Sequence, residues 1–282
     1  MSRIQSILEK AERDGSVRHL AGPKPAAAIT SYDEAATSLD DRPAPIVPTE
    51  PDALDAEPLA AAATAVPARA ITNARLDRRL LSAATSESAT AEQYRALRTR
   101  VLQSDNGTGM NVILVTSPGR GEGKTLTAAN LALTMAQEYQ RRICLVDADM
   151  RHPQLHRLFG LPDGPGLSDV LTGRVTLDDA LISLDEQQIT ILPAGRGHSR
   201  PAELLGTTTM RRTIETLRSQ FDRVVVDSPA TAPLADVGIL TPLVDSVLLV
   251  VRAGVTVKPA IHDAVSAIDA AKLLGVILNE AA

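Results

Sequence analysis

The chain of 282 residues contains no tryptophan, two phenylalanines, three tyrosines and one cysteine. A single thiol excludes an internal disulfide, and Cys144, inside the apolar run Ile143 to Val146, reads as a packing residue. An aromatic content of 2% leaves few platforms for stacked bases, and a formal net charge of -5 offers no general attraction to a phosphate backbone. Nucleic acid is therefore not an expected partner. No apolar run reaches the roughly 18–20 residues of a membrane helix, and Met1 to Lys10 lacks the apolar core of a signal peptide. The expectation is a cytoplasmic protein. His152 and His156 lie four apart, but the residues between them are not a zinc-protease motif and no third ligand is evident, so zinc is not expected.

Periodicity is also absent from much of the first seventy residues. From Ala21 to Ala70 the sequence is rich in Ala, Pro, Asp and Glu, with eight acids against the single base Arg42 between Asp33 and Glu57. Residues 21–70 read as a disordered linker. Ahead of it, in residues 1–20, Ile4, Ile7, Leu8 and Ala11 follow helical spacing, with Ser2 and Gln5 placed like a capping box. That short amphipathic helix is either a frayed terminus or a docking peptide on a tether. Residues 71–282 form the expected folded domain, and an α/β core of about 200 residues buries enough apolar surface to fold unaided.

The densest information lies in Val112-Ile113-Leu114-Val115-Thr116-Ser117-Pro118-Gly119-Arg120-Gly121-Glu122-Gly123-Lys124-Thr125. A β-branched strand runs into a glycine-rich turn and then, from Leu126, into a helix. Glycines alternating over Gly119 to Gly123 allow positive φ, so successive N–H groups can face an anion together with the helix N-terminus. Lys124 is placed to reach β and γ phosphates and Thr125 to ligate Mg2+. The strict phosphate-loop pattern is broken at Pro118, where its first glycine belongs.

Further apolar strands end in carboxylates. Ile143 to Val146 leads into Asp147-Ala148-Asp149-Met150-Arg151, and Arg223 to Val226 leads into Asp227-Ser228-Pro229. In a parallel sheet such ends converge on one ligand crevice. Asp147, Asp149 and Asp227 with Thr125 suit a hydrated Mg2+, although each acid alone is equally read as a turn or helix cap. Strands at Ile189 to Leu192, Ser246 to Val251 and Leu274 to Leu278, with helices at Thr90 to Gln103, Thr208 to Ser219, Leu234 to Leu243 and Pro259 to Ala271, complete an alternation of strand and helix. The expected fold is a P-loop α/β domain, a mostly parallel central sheet flanked by helices.

From about Ile71 to Asn279 the chain resembles the bacterial tyrosine kinases of polysaccharide synthesis, a family related to the partition and septum-site ATPases. The likeness rests on Glu92-Gln93-Tyr94-Arg95-Ala96-Leu97-Arg98-Thr99, the loop Ser117 to Thr125, Val146 to Arg151, Gly166-Leu167-Ser168-Asp169-Val170-Leu171, Val225 to Pro229 and Gly275 to Asn279. The resemblance implies ATP binding by Gly119, Arg120, Gly121, Glu122, Gly123, Lys124, Thr125 and Leu126, with Asn279 near the adenine. It implies Mg2+ at Thr125, Asp147, Asp149 and Asp227, and catalysis by Asp147 with Asp149 and Lys124. It also implies subunit contacts through Glu92, Arg95 and Arg98 in a ring or dimer. A membrane polysaccharide co-polymerase, the chain-length regulator, is the implied partner that recruits the protein to the inner face of the membrane.

Two departures bear on activity. The partition-type ATPases carry a lysine where this chain has Gly119, which favours the kinase branch over that alternative. The family kinases bear a C-terminal tyrosine cluster, whereas the tyrosines here are Tyr32, Tyr94 and Tyr139. A kinase-inactive ATP-binding switch or scaffold of the export machinery is accordingly the alternative to a tyrosine kinase.

Overall fold

The computed structural model describes residues 69–71, 74–80, 88–105, 109–137, 141–232 and 235–280. The expected amphipathic helix and nearly all of the acidic linker lie outside the described residues, as do Tyr32 and Tyr139.

The strands are β1 (Arg69–Ala70), β2 (Val112–Thr116), β3 (Ile143–Asp147), β4 (Ile182–Leu184), β5 (Ile189–Leu192), β6 (Arg223–Asp227), β7 (Ser246–Arg252) and β8 (Leu273–Asn279). They form one sheet in the order β1-β4-β5-β3-β6-β2-β7-β8. All neighbouring pairs are parallel except β4 with β5. Helices α1 (Ala89–Ser104), α2 (Lys124–Ala136) and α3 (Leu155–Leu158) are followed by α4 (Leu167–Leu171) and α5 (Leu177–Ala180). Then come α6 (Pro201–Leu205), α7 (Thr208–Gln220), α8 (Asp236–Leu240) and α9 (Lys258–Ser266).

Strand residues alternate between two apolar cores. Val112, Leu114, Cys144, Val146, Val224 and Val226 face one layer with Leu167, Met210, Leu217 and Val237. Ile113, Val115, Ile143, Leu145 and Val225 face the other, with Val101 of α1, Leu131 of α2 and Leu155 of α3. Both faces of the central strands are covered, so these read as continuous apolar runs and every residue of β2 and β3 is buried. Helix α7 shows the local logic: Thr207 accepts the Met210 N–H at 3.2 Å as N-cap, and Met210, Ile214 and Leu217 bury one stripe against the sheet.

The strand order places the chemistry. Asp227 at the end of β6 is in register with Asp147 of β3 on one side and with Val115 of β2 on the other. Because these three strands are parallel and adjacent, the phosphate-loop sequence and both strand-terminal acids leave the sheet at the same edge.

Candidate active site

The turn after β2 is shaped by its own side chains. The Ser117 hydroxyl donates to the Gly119 carbonyl at 2.6 Å, and the Gly119 N–H donates to Glu122 Oε1 at 3.0 Å. Burial pushes the Glu122 carboxyl upward in pKa, against the lowering effect of the Thr256 hydroxyl and the Gly119 N–H. Gly121 and Gly123 take φ of 78° and 95°, in the left-handed region where a Cβ costs energy. Gly123 opens α2 with no side-chain cap, whereas α1 and α7 are capped by Ser88 and Thr207. An uncapped helix start above a glycine turn presents N–H groups and the positive dipole end to an anion. Asn279, at the end of β8, donates from Nδ2 to the Glu122 carbonyl at 2.9 Å and so clasps the turn from the neighbouring sheet edge.

Lys124 lies buried across the mouth of this turn. Its Nζ is 2.8 Å from Asp149 Oδ2, 3.9 Å from Asp227 Oδ1 and 3.2 Å from Thr125 Oγ1. Burial alone would lower its pKa, but Asp227 and Asp149 together outweigh that and hold the ammonium charged. Asp149 also accepts the His152 N–H at 3.0 Å. Asp147 is wholly enclosed: Oδ1 accepts the Asp149 N–H at 3.1 Å, and Oδ2 accepts the N–H groups of Gln154 and Leu155, each at 3.2 Å. Burial and the adjacent Asp227 raise its pKa well above the ordinary carboxylate range.

Asp227 is wholly buried, and neither carboxylate oxygen has a partner in ordinary hydrogen-bond geometry, although the Thr125 hydroxyl and the Lys124 ammonium lie beside it. Burial raises its pKa to about 6, against the pull of Lys124 and Thr125. An orphaned buried carboxylate beside a threonine hydroxyl and a lysine fits a hydrated cation, which would supply the missing partners. Among the described residues, no three His, Cys, Asp or Glu side chains are grouped tightly enough to hold a metal ion by themselves.

The expected site residues divide into groups. Lys124, Thr125, Asp147, Asp149 and Asp227 come together around the turn, and Asn279 braces it. Arg120 is exposed, and the Leu126 side chain is half-buried against the core beneath the loop. Glu92, Arg95 and Arg98 stand apart on α1: Glu92 pairs with Arg95, while Arg98 Nη1 donates to the Thr134 carbonyl of α2 at 2.9 Å. A cavity of about 440 Å³ lies against the outer side of the loop, lined by Pro118, Gly119, Glu122, Arg252, Thr256 and Val257 among others, with none of the three acids in its wall. Sequence reading missed the bidentate pair of Arg151 with Asp236, at 2.9 Å and 3.3 Å. No local pattern points to Asp236, because the two partners are distant in the chain.

A buried lysine at the head of an uncapped helix, facing strand-terminal aspartates across adjacent parallel strands, defines a phosphate-loop ATPase domain. The family model described as an AAA domain matches residues 110–272. The tyrosine-protein kinase YwqD of Bacillus subtilis (strain 168) is 33% identical over 207 residues, covering 73% of this chain and 87% of that protein. The succinoglycan biosynthesis transport protein ExoP of Rhizobium meliloti (strain 1021) is 36% identical over 196 residues, which are 67% of this chain and 25% of that protein. The kinase domain of the Escherichia coli tyrosine kinase ETK superposes with a TM-score of 0.68 at 27% identity, over 71% of this chain and 79% of that one. The chain belongs to the bacterial tyrosine kinase family.

Proposed function

We propose that the protein is an ATP-dependent tyrosine kinase that regulates the synthesis and export of a capsular or extracellular polysaccharide. The observation that carries this reading is Lys124, buried and still charged between Asp149 and Asp227 at the open N-terminus of α2. The N–H groups around Gly119 to Thr125 hold the phosphates of ATP, and Lys124 turns from Asp149 to the terminal phosphates. Thr125 and Asp227, with Asp149, would hold Mg2+, which would supply charge neutralisation on the phosphate oxygens. The tyrosine oxygen attacks the γ-phosphorus, the bond to the β-phosphate bridging oxygen breaks, and Asp147 orients the acceptor and takes its proton. The likeness to ExoP, a succinoglycan biosynthesis transport protein, supports the polysaccharide role, and the likeness to the kinases of the family supports the chemistry. The protein acts at the cytoplasmic face of the membrane beside a membrane co-polymerase. Among the described residues, no helix is long and apolar enough to cross a membrane.

A second reading, an ATP-binding switch without phosphoryl transfer, is favoured by the complete enclosure of Asp147 and the occupation of both its oxygens by backbone N–H groups.

Titration calorimetry tests the nucleotide site, and a phosphoryl-transfer assay separates the readings: a native protein that binds Mg-ATP and transfers no phosphoryl group is the switch. Lys124→Ala should weaken Mg-ATP binding by about tenfold or more, the equivalent of one charged hydrogen bond. Asp147→Asn should retain binding and lose most phosphoryl transfer. Native affinity in Lys124→Ala would remove the loop as the nucleotide site, and native turnover in Asp147→Asn would remove Asp147 from catalysis.

A further inference from the structure

We infer that Arg151 is a positioning residue of the metal–nucleotide site, tying the turn that carries Asp147 and Asp149 to the segment that follows Asp227. The inference rests on the reading of this site as one for Mg-ATP.

The turn between β3 and α3 is held internally by Asp147, which takes the N–H groups of Asp149, Gln154 and Leu155, and by Asp149, which takes that of His152. Those bonds fix its shape, not its distance from β6. Toward β6, the Ala148 N–H donates to the Asp227 carbonyl at 2.8 Å, at the base of the turn. Farther out, Arg151 Nε reaches Asp236 Oδ2 at 2.9 Å and Nη2 reaches Oδ1 at 3.3 Å. Asp236 opens α8, whose Val237 and Leu240 belong to the same core as Met150, the residue before Arg151. Arg151 therefore closes a ring that runs from Asp147 through the turn, across to Asp236, and back along the chain to Asp227.

The charge pattern explains why that ring matters. Lys124 holds Asp149 at 2.8 Å and is the cation that must turn toward the phosphates. As it does so, Asp149 keeps the His152 N–H but loses the Lys124 ammonium, and the turn loses its tie to α2. The fork on Asp236 does not involve Lys124 and is preserved. The Asp236 side chain is 0% exposed against 31% for Arg151, so the carboxylate is sealed under the guanidinium, and the planar fork fixes direction as well as distance. Stability alone is a weak reason for such a pair, since an apolar pair of similar volume often serves a core as well.

The test uses the full chain with Arg151→Met combined with Asp236→Leu, and separately Arg151→Lys, which keeps the charge and loses the fork. Thermal melting, ATP affinity without metal, and the Mg2+ concentration that half-maximally tightens ATP binding are measured on each. The double variant is expected to melt within a few degrees of the native protein and to bind metal-free ATP within about twofold, while its Mg2+ requirement rises about tenfold. Arg151→Lys should fall between the two. A native Mg2+ requirement in either folded variant overturns the proposal, and so does a rise matched by an equal loss of metal-free affinity, which would mark a general structural defect. If the unaltered protein does not bind Mg-ATP, the site reading fails first and takes the proposal with it.

Discussion

Asp227 is wholly buried with neither carboxylate oxygen in an ordinary hydrogen bond, and that makes its charge costly in the nucleotide-free site. Its folded pKa, about 6, lies above the ordinary value of 3.8, so between those values the folded state binds more protons than the unfolded chain. The stability associated with its protonated form is fully present below the ordinary pKa and is lost as pH rises through about 6. Asp227→Asn removes the buried charge while keeping the shape, and is expected to raise the melting temperature of the nucleotide-free protein at pH 7.5 by a few degrees. The same variant should flatten the decline in stability between pH 5 and pH 7 and abolish the tightening of ATP by Mg2+. Melting curves across that range, with and without Mg-ATP, check both signs. A lower melting temperature at neutral pH would mean that Asp227 mainly serves as a counter-ion for Lys124.

At the level of elements, legibility followed length and periodicity. β2 starts at Val112, where the strand ahead of the glycine turn is expected, β5 has the boundaries its apolar run predicts, and β3, β6, β7 and β8 differ by one residue at one or both ends. Helix α1 likewise extends only slightly beyond its expected Thr90 to Gln103. The phosphate turn was legible because glycines, lysine and threonine must be contiguous to cradle an anion. β1, of two residues, and the antiparallel β4, of three, were not, and α3 to α6 are each of four or five residues. Such pieces are shorter than the windows over which a period can be distinguished, and tertiary contacts decide them. The Glu92, Arg95 and Arg98 stripe shows a different limit: spacing puts three charges on one helix, but not what each one meets. Arg98 reaches the Thr134 carbonyl in the last turn of α2, where helix carbonyls lack intrahelical partners and a cation is favoured. Arg98→Ala should therefore destabilise the isolated subunit by about 0.5–2 kcal/mol, whatever it does to assembly. Melting at concentrations where light scattering reports a monomer tests this, and an unchanged melting temperature there would return Arg98 to a purely intersubunit role.

Across the whole molecule, strand order converts separated sequence segments into one site, and the same packing limits which tyrosines that site can modify. The loop after β2 and the acids of β3 and β6 meet only because β6 lies between β2 and β3. That arrangement depends on the apolar layers on both faces of the sheet, and α1 belongs to one of them through Val101 and Leu97. Tyr94 sits half-buried in the same helix. Delivering its hydroxyl to a γ-phosphate would require unwinding α1 and breaking the Arg98 contact to α2, which folded protein resists. Incubation of the full chain with Mg-ATP, followed by phosphopeptide mapping, is therefore expected to leave Tyr94 unmodified. Self-modification, where it occurs, should fall weakly on Tyr32, in the segment whose composition reads as a linker, with most transfer going to a tyrosine on a membrane partner's cytoplasmic tail. Asp147→Asn supplies the blank. Strong labelling of Tyr94 in protein that retains its native melting temperature would show that α1 opens far more readily than its packing allows, and would overturn this account of the acceptor.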